Sequence, residues 1–215
     1  VLQSPTKQTL SSSNPGIYAG ERKIISRALA LKLYLNLKLK RYLMKNTELL
    51  MYMLDDIRKE TIKGISGLTK EQLFMEPVKG EYPIGAYMMH IAEAELYWLG
   101  ILSGEKQPEE LKKRVYDCAW FDAPQKSYAP PAEPIEIDEY LNVAAEIRDL
   151  FFKYISSMND SDLETKLKIK RSATHEVEIT KKWIIYHILE HEAHTRGQMF
   201  LLIRMAGFKK KGENN

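Results

Sequence analysis

Residues 45–64 read KNTELLMYMLDDIRKETIKG, with Leu49, Met53, Ile57 and Ile62 at near-helical spacing and charges between them. That is the pattern of an amphipathic helix with one apolar stripe. In GLTKEQL, Thr69 and Gln72 have the spacing of a capping box, which predicts a short helix. Pro77, Gly80 and Pro83 then break the chain before a second long helix, predicted over 84–102 and stopped at Gly104. Residues 105–136 hold five prolines, Pro108, Pro124, Pro130, Pro131 and Pro134, which predicts an irregular excursion with one short helix near Glu109. IDEYLNVAAEIRDLFFKYISSM supplies the third long helix, its apolar face drawn from Leu141, Ala145, Ile147, Phe151 and Ile155. KLKIKRSATHEVEIT alternates with period two and is the candidate for a small β-hairpin. The fourth long helix runs from about residue 181 to 206, with Gly207 placed to end it. The expected fold is all-α: a four-helix bundle with a long crossover between the second and third helices and a hairpin before the fourth. Bundles of this kind build metal sites in the core from side chains on facing helices.

Residues 1–43 change the picture. They hold eight Lys or Arg against the single acid Glu21, so the other residues carry 24 basic against 28 acidic side chains. The chain's net charge of +3 therefore belongs to a basic leader, and the body is acidic. An acidic body argues against nucleic acid as a partner, because neutralising phosphates needs clustered positive charge. Three readings fit the leader: an organellar transit peptide, a basic membrane-surface segment, or upstream sequence preceding a native start at Met44. The last is preferred, because the helical pattern begins immediately after Met44. The expected organisation is a disordered or non-native leader over 1–43, a bundle over 44–207 and a solvated tail over 208–215. No apolar run approaches the ~20 residues of a membrane span, so no membrane partner is expected. A single cysteine, Cys118, allows no internal disulfide and points to a reducing, cytoplasmic compartment.

Candidate chemistry concentrates in HILEHEAHTRGQ, residues 187–198. At about 100° per residue, with His187 as zero, His191 falls near 40°, His194 near −20° and Gln198 near 20°. The four form one stripe at the i,i+3 and i,i+4 spacings where side chains meet. Trp183, Ile184, Leu202 and Met205 border it, which predicts that the stripe faces the interior. HEAHT misses the metalloprotease pattern H-E-x-x-H by one residue, since position 195 is Thr195. On the second helix His90 lies between Ala86 and Ala94, one turn away on each side, which leaves volume for a site. His175 falls in the hairpin and is expected to be exposed.

YPIGAYMMHIAEAELYWL, followed about a hundred residues later by WIIYHILEHEAHTRGQMFLLIRMAG, resembles the DinB-like (DinB/YfiT) superfamily. The resemblance covers Met44 to Gly207. It implies a four-helix bundle in which three histidines hold a divalent metal, one from the second helix and two from the fourth, four residues apart. His90 and His191 match two of those positions, and the third falls on Thr195, a poor ligand for zinc or nickel. The expected ligands are therefore His90, His191 and His194, with His187 as the alternative third and weak binding through Thr195 and water as another outcome. The resemblance further implies thiol or water activation, hence a thiol-dependent transferase or a hydrolase acting on a small-molecule substrate. Glu93 and Glu192 are candidate proton-transfer or orienting groups, although acids beside helix histidines usually lie at the surface. Arg196 and Gln198 belong to the signature, and Gln198 could orient a ligand. The competing reading is a non-catalytic protein with a degenerate site, using aromatics around Trp98, Trp120 and Phe121 for a partner or a homodimer. The metal-dependent reading requires His90 and His191 to converge inside the bundle; if they do not, only the non-catalytic reading survives.

Overall fold

The computed structural model describes residues 44–116, 133–170, 172 and 174–208, together with Leu31 and Lys32. Cys118, Trp120, Phe121 and all of the leader except Leu31 and Lys32 lie outside the described residues. The chain divides into two units, Val1–Met44 and Lys45–Asn215. Within the first, Leu31 and Lys32 are helical and exposed. The second carries everything below.

Helix α1 (Asn46–Ile65) starts where Asp160 meets it from far along the chain. The backbone N–H groups of Asn46 and Thr47 donate to the Asp160 carboxylate at 3.0 and 3.2 Å. This satisfies donors that a helix start otherwise leaves open. Helix α2 (Lys70–Phe74) forms on the expected capping box: Thr69 N donates to Gln72 Oε1 at 2.8 Å and Gln72 N to Thr69 Oγ1 at 3.3 Å. Helix α3 (Ile84–Ser103) ends at Gly104, whose φ of 72° is the left-handed turn that glycine accommodates. Helix α4 (Glu109–Tyr116) is the short helix of the crossover, and α5 (Ile137–Ser156) follows it. A 3-10 turn (Asp160–Glu164) leads into strands β1 (Lys166–Lys170) and β2 (Glu176–Thr180). They pair antiparallel with Leu167 opposite Ile179 and Ile169 opposite Val177. Helix α6 (Lys181–Met205) begins with the Thr180 hydroxyl accepting from Trp183 N at 3.2 Å. Phe208, expected in the tail, packs against the core.

Helices α1 and α3 each pack against both α5 and α6; α2 lies on α3, and α4 on α3 and α5. Among the described residues the apolar interior falls into two clusters. One holds Ile65, Ile84, Leu96, Tyr140, Ile147, Met199 and their neighbours. The other holds Leu54, Trp98, Phe151, Ile155, Ile184 and Ile188. Between them each of the four long helices contributes one charged residue: Arg58, Glu95, Arg148 and Glu192, all at most 7% exposed. Arg58 donates through Nε to Glu192 at 2.8 Å and through Nη2 to Glu95 at 2.9 Å. Arg148 donates through Nε to Glu95 at 2.5 Å and through Nη2 to Glu192 at 2.8 Å. The spare guanidinium N–H groups reach the backbone carbonyls of Ala144 and Leu54. Thr61 adds a hydroxyl 2.9 Å from Glu192 Oε1. Two cations and two anions cancel, and the hydrogen bonds repay part of the desolvation of four buried charges.

Two expected faces are corrected. Leu49 and Met53 of α1 are exposed, and the buried stripe is Leu54, Ile57, Arg58, Thr61 and Ile65. Two members of that stripe are polar, which disguised it among the charges. On α5 the buried residues are Tyr140, Val143, Ala144, Ile147, Arg148, Phe151 and Ile155, whereas Ala145 is exposed and Leu141 only partly covered.

Candidate metal centre

The buried residues of α6 are Ile184, Ile185, Ile188, Glu192, Thr195, Met199, Leu202 and Ile203. On the angular scale used above they centre near 100°, so the histidine stripe near 10° borders the core rather than facing it. This corrects the inward-facing expectation, and Met205, expected on its border, is 60% exposed. It also explains the individual fates. His191, nearest in angle to the core, is mostly covered, while His194 and Gln198 are exposed and Thr195 is buried. Arg196 is partly exposed and His175, in the hairpin loop, is exposed.

Across the α3–α6 contact the Nε2 atoms of His90 and His191 lie 3.1 Å apart, from positions separated by 101 residues. Their rings are tilted by 56° with centroids at 4.8 Å. The distance suits either of two roles. One is an N–H···N hydrogen bond, with the tautomer setting the donor. The other is shared coordination: an ion about 2.05 Å from each nitrogen would see them at an angle of roughly 100°. That lies between the cis-octahedral and tetrahedral angles, so the pair meets the distance condition for zinc or nickel as it stands.

The His187 ring is 6.2 Å from that of His191. It stacks on Trp183 at 4.8 Å with 10° between planes and meets Trp98 edge-on at 5.2 Å. Trp98, considered as an exposed docking aromatic, is buried. Each of two histidines has a glutamate three residues on. His90 Nδ1 lies 3.9 Å from Glu93 Oε2, and His187 Nδ1 lies 3.6 Å from Glu190 Oε2. These are electrostatic contacts, longer than hydrogen bonds. A carboxylate facing Nδ1 favours the tautomer with its lone pair on Nε2.

Burial, with help from the neighbouring His90 and His187, pushes the His191 imidazole down to about 4, so it is neutral near pH 7. Glu192 is opposed by burial, yet Arg58 and Arg148 hold its carboxyl below the usual range. Glu93 and Glu192 are both buried, against the expectation of surface acids. Glu192 is spent on the ionic layer, and its backbone neighbour is His191. Sequence reasoning missed Arg58, Glu95 and Arg148 altogether. The signal was there: each is a charge one turn from apolar core residues on the same helix stripe.

Among the described residues, no group of three or more His, Cys, Asp or Glu side chains could hold a metal ion as it stands. Nor is any described helix long and apolar enough to cross a membrane. What the structure brings together is therefore a two-imidazole pair with His187 alongside.

Comparison with known proteins agrees with this architecture. A conserved protein from Enterococcus faecalis superposes with a TM-score of 0.61 at 16% identity, covering 78% of this chain and 100% of its own. A DinB-like protein from Bacillus cereus superposes with a TM-score of 0.53 at 21% identity, covering 75% and 95% respectively. At those identities the likeness shows the fold. No curated protein is similar enough to count as a match. The sequence pattern of the DinB superfamily matches residues 53–199, a span that includes the α3 and α6 segments bearing the histidine pair. The chain belongs to the DinB superfamily.

Proposed function

We propose that this chain is a metal-dependent enzyme in which His90 and His191 hold one divalent cation, zinc or nickel, for a thiol-dependent transfer or a hydrolysis on a small molecule. The observation that carries the reading is the 3.1 Å separation of the two Nε2 atoms. When bound, such an ion would stabilise a thiolate or hydroxide near neutral pH. The chain's own residues do the rest. Glu93, buried 3.9 Å from His90 Nδ1, biases that ring toward a ligating Nε2. Glu192 ties the backbone beside His191 to the ionic layer. The His90 side chain keeps 29% exposure, so the pair is reachable from solvent. The acidic body and single cysteine fit a cytoplasmic setting without nucleic acid.

A second reading draws on the buried Thr195 and the lack of a three-ligand group among the described residues. In it the site has decayed, the imidazoles share a hydrogen bond, and the bundle serves binding or dimerisation. Metal content separates the two. After dialysis of the full chain against zinc or nickel, elemental analysis should find about one ion per chain, lost in both His90→Ala and His191→Ala. An ion-free parent would leave the second reading standing, and metal retained by both variants would refute the site.

A further inference from the structure

We propose that the cavity beside the ends of α3 and α5 is a binding site for a small monocarboxylate with an apolar body, its charge met by Lys106 and Lys153. The cavity measures about 460 Å³, within the usual range for a small-molecule pocket. Leu99 and Leu150 give it an apolar wall, and Ser103 and Tyr154 line it beside the two lysines. On α3 it begins at Leu99, nine residues after His90 and so roughly 13 Å further along the helix axis. The site therefore stands independently of the metal reading.

What a ligand must offer follows from which polar groups are already committed. The Leu99 carbonyl accepts from the Ser103 hydroxyl at 2.8 Å, and the Gly100 carbonyl from Gly104 N at 3.0 Å. The Leu102 carbonyl accepts from the Tyr154 hydroxyl at 2.8 Å, and the Tyr154 carbonyl from the Ser157 hydroxyl at 2.7 Å. The hydroxyl protons of Ser103, Tyr154 and Ser157 are thus all directed at backbone, and none is left for a ligand. Lysines near a helix C-terminus commonly serve such carbonyls. Here these carbonyls have other donors, and neither Lys106 nor Lys153 makes a hydrogen bond or an ion pair among the described residues. Lys59, Lys70, Lys112 and Lys182, by contrast, each lie within 2.9 Å of an acid. The acid that Lys106 faces on α4, Glu109, is held by Lys112 at 2.8 Å. The uncommitted groups of the cavity are therefore cationic N–H donors, which call for an anion.

Charge and shape narrow the anion further. With Glu105 the lining carries two positive charges and one negative, a local excess of one in a body of 24 basic against 28 acidic residues. A single carboxylate balances that excess. A phosphate dianion exceeds it and leaves Leu99 and Leu150 facing water. Both lysines are exposed, so their attraction is modest and salt-sensitive, and the apolar wall has to supply much of the affinity. The walls are braced in advance. Ser103 Oγ accepts from Glu105 N at 3.1 Å and Gln107 Nε2 donates to the Glu105 carbonyl at 3.0 Å, which pins the loop bearing Lys106. Lys181, outside the lining, donates to the Tyr154 hydroxyl oxygen at 2.8 Å. Such preorganisation lowers the ordering cost of binding.

Hexanoate is the probe, titrated into the full chain at low salt by isothermal calorimetry, with acetate, hexylamine and inorganic phosphate alongside. Saturable hexanoate binding is expected, weakening about 2–3-fold for each methylene removed toward acetate, below the ~4-fold of a fully buried methylene. Lys106→Gln and Lys153→Gln should each cost about 3–5-fold, and the double variant about 10-fold, as for exposed pairs of opposite charge. Lys168→Gln removes the same charge from the hairpin and should stay within about 2-fold of the parent. His191→Ala should do likewise, which separates this site from the histidine pair. The altered lysines are exposed, so their variants should keep the parent's circular dichroism. The site would be overturned by a double lysine variant that binds like the parent, or by equal losses in Lys168→Gln or His191→Ala. Hexylamine binding as well as hexanoate, phosphate binding better than hexanoate, or no saturable hexanoate binding at all would overturn it too. An ion-free parent, fatal to the metal reading, would leave it untouched.

Discussion

A Cβ built on Gly85 would stand 2.4 Å from the hydroxyl oxygen and 2.6 Å from Cζ of Tyr140, and one on Gly64 would stand 1.8 Å from Cζ of Phe200. The nominal overlap is worse at Gly64, yet the consequence should be smaller. Phe200 is only partly buried, and the atom it would have to move is the far end of a rotatable ring. Tyr140 is 1% exposed and enclosed by the core, so α3 and α5 would have to separate. Gly85→Ala should therefore cost about 1–3 kcal/mol of stability in urea unfolding, the usual range for overpacking a core. For Gly64→Ala the helix-propensity gain of up to ~1 kcal/mol offsets much of the strain. The opposite order would show that the Phe200 ring is held in place. Sequence legibility at this scale was uneven. His90 and His191 could be singled out because the family likeness matches those two positions, with Ala86 and Ala94 leaving room beside His90. The fate of His187 and His194 could not, since angular arithmetic leaves open how far the stripe is turned from the core. That turn is set by Ile188, Thr195 and Met199 packing inward.

Among the elements, α2 and the hairpin were legible because their signals are local: Thr69 with Gln72, and alternation across residues 166–180. Helix α1 was legible in existence but not in facing, because Arg58 and Thr61 interrupt its buried stripe; its start was not legible either, being fixed by Asp160, 114 residues from Asn46. No local pattern carries such a contact. It has a pH signature. Hydrogen bonds from the backbone of Asn46 and then Thr47 hold the Asp160 carboxyl below its ordinary value. A depressed folded-state value means the stabilisation is complete above the unfolded carboxyl's pKa of about 3.9 and is lost as pH falls through the lower folded value. Asp160→Ala should accordingly lower the melting temperature at neutral pH, and the gap to the parent should narrow as the solution is taken below about pH 4. A gap independent of pH would mean that Asp160 acts through packing rather than charge.

At the scale of the whole molecule, the ionic layer decides how the four long helices sit against one another. Sequence patterning reads a charge as a surface residue, so Arg58, Glu95 and Arg148 go unnoticed along the chain, and Glu192 draws attention only as a neighbour of His191. Only their complementarity across four helices, invisible along any one of them, allows them inside. Each guanidinium bonds both carboxylates, so the four act as one unit. Removing a single member leaves an unbalanced charge in a region at most 7% exposed. That should cost about 3–5 kcal/mol for Arg58→Met or for Arg148→Met. Replacing all four together, as Arg58→Met, Glu95→Leu, Arg148→Met and Glu192→Leu, removes the desolvation penalty along with the attraction and joins the two apolar clusters into one. The quadruple variant should therefore be more stable than either single, by denaturant unfolding, and on the order of the parent. Its expected defect is in the site. Glu192 ties α6 beside His191, and Glu95 ties α3 five residues from His90. With a greasy layer the helices are free to slide, and the two imidazoles lose the fixed separation that a shared ion requires. Zinc affinity falling while stability recovers would identify the layer as the device that holds the pair in register. If the four single losses simply add in the quadruple, the charges act independently and the register must come from the apolar packing on either side.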